Sequence, residues 1–127
     1  MELRFTVWQF VRLMVHLEES AEARTADGEL LSAWADIWKP LDQELAELAE
    51  RDFEAYGELM MDQDVVVADA GHDQTQTAQA ALMRVITEMD AAIAQGGEPA
   101  HLQNLKFERR ELRQLARKLD RLGSPGA

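Results

Sequence analysis

Three histidines and a few oddly placed carboxylates are the residues here whose types and spacing bear on chemistry. Glu98-x-x-His101 has the Glu-x-x-His spacing that di-iron bundles use, but those proteins supply it twice from mid-helix. Here it occurs once, where a helical segment opens. Glu18, Asp52 and Glu108 fall within leucine-rich stripes, and Glu88 lies at the edge of one. In an up-down-up-down bundle, Glu18, Glu88 and Glu108 stand about 9–14 Å from a common end, at 1.5 Å per residue. Three carboxylates at one depth bind a hard cation, or a transition metal if His101 joins them. Near a helix end the same acids reach solvent or pair with arginine, and a buried acid needs such a partner. Glu18, Glu88, Glu108 and His101 are thus the ligand set of one reading, a carboxylate-rich metal-binding bundle or metalloenzyme.

Phosphoryl transfer would need an exposed histidine on a helix face, and winding offers only His16. Its neighbours Glu18 and Glu19 oppose a dianionic phosphoryl group. Glu18-Glu19-x-x-Glu22 resembles the first acidic motif of the helical nucleotide pyrophosphohydrolases that bind magnesium. The resemblance covers five residues, and that family's second motif, Glu-x-x-Asp, occurs nowhere in the chain. Phosphate loops, Ser/His/Asp constellations and dinucleotide fingerprints are missing too. With no cysteine, thiolate metal sites, cysteine nucleophiles and disulfides are excluded. No catalytic residue and no cofactor are expected.

A basic ridge is the stronger signal. At 100° per residue, Lys106, Arg110, Arg113, Arg117 and Arg121 fall within an arc of about 80°. The leucines of the same segment lie opposite. Arginine grips carboxylate or phosphate with a planar fork, so this ridge is expected to meet an acidic partner. That acid belongs either to another protein or to this chain's own acidic second helical region, within or between copies. Phe107 sits beside the ridge.

The charge balance sharpens the point. The 127 residues hold 13 Lys/Arg and 24 Asp/Glu, for a net charge of −11. Residues 1–73 carry 5 basic and 18 acidic groups, and residues 74–127 carry 8 and 6. Such an excess of acid opposes adsorption of the whole molecule to nucleic acid or an anionic membrane. Leu3 to Leu17 is apolar but too short and too interrupted by Arg4, Gln9, Arg12 and His16 to span a bilayer or read as a signal peptide. A cytoplasmic protein is expected, with no membrane contact and nucleic acid disfavoured.

Apolar spacing defines the elements that must position these groups. A first helix over residues 2–23 places Leu3, Val7, Phe10, Met14, Leu17 and Ala21 on one face and Gln9, Arg12, His16 and Ser20 opposite. Leu3 to Val7 also alternates like a strand, and Val65-Val66-Val67 is β-branched, but neither has a local hairpin partner. Asp27 suits the cap of the next helix. A long second region spans residues 29–68, with Leu41, Leu45, Leu48, Tyr56, Leu59 and Val66 inward. Pro40 is expected to end a short helix near Trp38 and restart another. Unbroken, that region would reach roughly 60 Å, longer than its neighbours at about 33–36 Å. Asp73 and Gln76 have capping-box spacing for a third helix, whose inward face is Ala78, Leu82, Val85, Ile86, Met89 and Ile93. Gly96-Gly97 ends it, and Pro99 opens a fourth with Leu105, Leu112, Leu115, Leu119 and Leu122.

The expected fold is all-α: an antiparallel four-helix bundle, one domain over residues 1–122, with a long second helix kinked or broken near Pro40 and a flexible tail at 123–127. Phe5, Trp8 and Val15 form a second apolar side on the first helix, and Trp34 and Trp38 an aromatic anchor near Pro40. These five are the expected oligomer interface. The expected function is a non-catalytic, adaptor- or chaperone-like interaction or assembly module, as a homodimer.

Overall fold

The computed structural model describes residues 1–123. Among them the chain is mostly helical, as expected. The order is β1 (Leu3–Thr6), α1 (Val7–Ser20), α2 (Thr25–Ala33), α3 (Ala35–Arg51), α4 (Phe53–Asp62), β2 (Asp64–Val67), α5 (His72–Gln95) and α6 (Pro99–Gly123). The four expected segments are thus six helices and a two-stranded sheet. They divide into two compact units, Met1–Ala70 and Gly71–Ala127. The expected tail lies, but for Gly123, outside the described residues.

The first unit begins with a strand where the first helix was expected to start. β1 pairs antiparallel with β2 in the register Leu3↔Val67, Arg4↔Val66, Phe5↔Val65 and Thr6↔Asp64. Period-two alternation buries Leu3, Phe5, Val65 and Val67 together and turns Arg4 and Val66 outward. Val66 is therefore exposed, not part of an inward stripe. The strand stops at Thr6 through reciprocal capping. The Thr6 hydroxyl accepts from Gln9 N at 3.3 Å, and Gln9 Oε1 accepts from Thr6 N at 2.9 Å.

The expected long second region is three helices and a strand. The boundaries fall at Trp34 and Asp52, while α3 runs through Pro40. Asp52 breaks the chain because its carboxylate caps α4, accepting from Ala55 N at 3.1 Å. Its place on the leucine stripe is that of a helix stop. Asp27 lies inside α2, in its first turn, and Arg24 holds the cap position.

An aromatic cluster fills this unit. Phe10 is fully buried, with ring centroids 5.5 Å from Phe5, 6.1 Å from Trp34 and 6.2 Å from Trp38. The cluster joins β1, α1 and α3 with the residue between α2 and α3. Gln9 and His16, expected on the solvent face of the first helix, are buried.

The second unit is an antiparallel hairpin of α5 on α6. Gly71 caps α5, and Gln74 Oε1 accepts from its amide at 3.2 Å, two residues before the expected cap at Asp73. Ala78, Leu82, Val85, Ile86 and Met89 are buried as expected, with Ala81 added. Gly96 and Gly97 turn the chain at φ +81° and +144°, a region side chains avoid. Pro99 then opens α6, where Leu112, Leu115, Ala116 and Leu119 are buried and Leu122 is exposed.

Candidate functional site

The α5–α6 hairpin displays the basic ridge. Because leucine spacing commits one side of α6 to the interior, the residues opposite must face outward. Lys106, Arg110, Arg117 and Arg121 are exposed, and Arg113 is half-buried. One of the five has an acid partner, and it comes from α5, not from the acidic second region that was expected to supply it. Asp90 of α5 accepts from Arg113 Nη2 at 3.2 Å and from Arg109 Nη1 at 2.7 Å. Arg109, outside the predicted ridge, is the more tightly held. Among the described residues no carboxylate pairs with Lys106, Arg110, Arg117 or Arg121.

Lys106, Arg110 and Arg117 line an open groove of about 470 Å³ together with Arg109, Arg113 and Gln114. Arg110 lies over the ring of Phe107, 5.8 Å from its centroid, so a flat apolar surface adjoins the charge. A second groove of about 330 Å³, with Met83 and Ala116 among its walls, shares Arg113 and Arg117. The first groove offers carboxylate or phosphate recognition, and the second is mixed in character, with Gln79 and Asp120 beside Met83 and Ala116.

The other sequence candidates fall elsewhere. Glu18 is exposed on α1, Glu88 exposed on α5, Glu108 half-buried on α6 and His101 exposed in the first turn of α6. Among the described residues no three His, Asp or Glu side chains are placed to hold a metal ion. His16, the phosphotransfer candidate, is 8% exposed. Beside it, Ser20 Oγ donates to Asp27 Oδ2 at 2.6 Å, and Asp27 is 2% exposed. That carboxylate lies at the positive end of α2 and ties α2 to α1.

Of the expected interface, Phe5, Trp8, Trp34 and Trp38 are buried within the chain, three of them in the Phe10 cluster. Their off-stripe placement reflects the strand and the turn at Trp34, not a surface waiting for a partner. Val15 remains exposed. The most exposed aromatic among the described residues is instead Phe53, 76% accessible and stacked on Tyr56 at 5.8 Å with an interplanar angle of 16°. The stop at Asp52, which resets the helical phase, was the signal that could have revealed it.

No helix among the described residues is long and apolar enough to cross a membrane. The chain matches no protein-family model, no curated protein and no solved structure.

Proposed function

We propose that this protein is a non-catalytic, self-associating helical interaction module of the cytoplasm, adaptor- or chaperone-like, whose α6 ridge receives acidic protein surface. The observation that carries this reading is the row of cations on α6. Lys106, Arg110, Arg117 and Arg121 have no carboxylate partner among the described residues of a chain carrying eleven excess negative charges. Elsewhere the electrostatics disfavour acidic partners, so encounter through this row is selective in position. Arginine forks beside the exposed Phe107 ring suit an acidic amphipathic helix better than a polyanion recognised by charge alone.

The test is fluorescence anisotropy with a labelled helical peptide bearing glutamates on one face and leucines on the next. Binding should weaken with salt, because exposed charges are screened within about 8 Å at physiological ionic strength. Arg110→Glu with Arg117→Glu should weaken it about tenfold or more, a loss of about 1.4 kcal/mol or greater. Unchanged affinity in the double variant rejects the reading. Preference for a single-stranded DNA oligonucleotide over the peptide would move the ridge to a different class of partner.

A further inference from the structure

α4 packs on α3, α1 and β1, yet none of its residues is buried. Helical winding collects Phe53, Tyr56, Met60 and Met61 within an arc of about 140°. Phe53 and Met61 are largely exposed, and Tyr56 and Met60 are half-exposed. An aromatic stack continued by two methionines is an adaptable apolar surface of the kind that marks an interaction site. Glu54, Glu58 and Asp62 run beside it, all exposed, at one-turn-plus spacing. At 1.5 Å per residue they are about 6 Å apart, a row about 12 Å long.

The ridge of α6 has the opposite charge on a matching scale. Lys106 and Arg110 are also about 6 Å apart along the axis, and Arg110 and Arg117 about 10.5 Å. Phe107, 44% exposed, stands at its shoulder as Phe53 stands at the shoulder of the acidic row. Each helix therefore carries a charged row with an aromatic flank, and the two rows are opposite in sign and similar in length. Copies of so acidic a chain repel one another in general, so self-association has to proceed through a basic surface, and this ridge is the concentrated one.

Resting on the interaction-module reading above, we propose that the α4 face is occupied by the α6 ridge of a second copy of this chain. The glutamates and Asp62 meet Arg110, Arg113 and Arg117, and the Phe53–Tyr56 stack and Met61 are covered in the same contact. Such a contact joins two different patches, so it is heterologous and either closes into a small assembly or propagates.

Two charge variants of the full chain test this by sedimentation velocity: Arg110→Glu with Arg117→Glu, and Glu54→Arg with Glu58→Arg. Each alone should remain at 14.4 kDa under conditions where the unaltered chain associates. An equimolar mixture should associate again, because the first variant keeps a native α4 face and the second a native ridge. Circular dichroism confirms folding. Phe53→Ser, at a side chain 76% exposed, supplies an independent variant that should weaken association about tenfold. The proposal is overturned if either charge variant associates like the unaltered chain, if the mixture stays monomeric, or if the unaltered chain never exceeds 14.4 kDa. The peptide assay reads the ridge separately. Ridge-dependent peptide binding by a chain that stays monomeric removes only the self-association, whereas loss of ridge dependence removes the broader reading.

Discussion

Replacing Phe10 by alanine decides whether the aromatic residues of the first unit are its interior or an interface. Phe10 is fully buried and its ring centroid is within about 6 Å of Phe5, Trp34 and Trp38. Removing a buried phenylalanine side chain from a packed core costs about 3–5 kcal/mol. Pairwise ring contacts of this geometry add about 0.5–1.5 kcal/mol beyond area, part of which is already counted in that figure. We therefore expect a loss of about 4 kcal/mol. With a urea m-value of about 2 kcal/mol/M, the midpoint moves down by about 2 M. Phe10→Leu, which refills most of the space, should lose less than half as much and keeps the measurement possible if the alanine variant is too unstable. All three tryptophans, Trp8, Trp34 and Trp38, lie in the Met1–Ala70 unit, so tryptophan fluorescence reports that unit alone. Phe53→Ala is the control, expected to change stability by less than about 0.5 kcal/mol because its ring is exposed. A loss below about 1 kcal/mol for Phe10→Ala, or equal losses at positions 10 and 53, would refute the assignment of the cluster to the core.

Other outcomes follow from single contacts. Asp27→Ala removes a buried carboxylate that Ser20 Oγ contacts at 2.6 Å, and should cost about 1–3 kcal/mol in urea unfolding. Asp90→Asn takes the anion from Arg109 and Arg113; stability should shift by no more than about 1 kcal/mol, since the pair is solvent-accessible. The same change adds net positive charge to the groove and should tighten acidic-peptide binding, measured by anisotropy. Gly96→Ala forces a side chain onto φ +81° and ψ −169° and should cost about 1–3 kcal/mol in thermal unfolding followed by circular dichroism.

Much of the second unit was legible because one period runs unbroken through each helix. Ala78 to Met89 and Leu112 to Leu119 repeat at helical spacing, and Gly96-Gly97 followed by Pro99 is turn chemistry that admits few alternatives. The first unit defeats the same reasoning because its strands are partners separated by most of the unit. Leu3 and Val7 fit both periods, Phe5 fits only the alternation, and the turn residues that identify a hairpin are absent when four helices intervene. Two local signals pointed the right way. Thr6-x-x-Gln9 has the form of a capping box and marks the end of β1. Asp52, an acid amid leucines, is a helix cap and the start of a new phase. Pro40, by contrast, was over-weighted. It is the sixth residue of α3 and costs the one bond its N–H would have given to Asp36, yet the helix runs through it to Arg51, with the buried Trp34 and Trp38 anchoring its start. The basic ridge was visible as a row, but Asp90 and Arg109 were not, since their pairing depends on how the hairpin aligns.

The central claim is that this chain associates through oppositely charged helical rows. Sedimentation equilibrium of the unaltered chain at low ionic strength and at about 1 M salt, where screening acts within about 3 Å, tests it most directly. The account predicts a mass that is a multiple of 14.4 kDa at low salt and falls toward 14.4 kDa at high salt. A mass of 14.4 kDa at every concentration, or an assembly indifferent to salt, would contradict it.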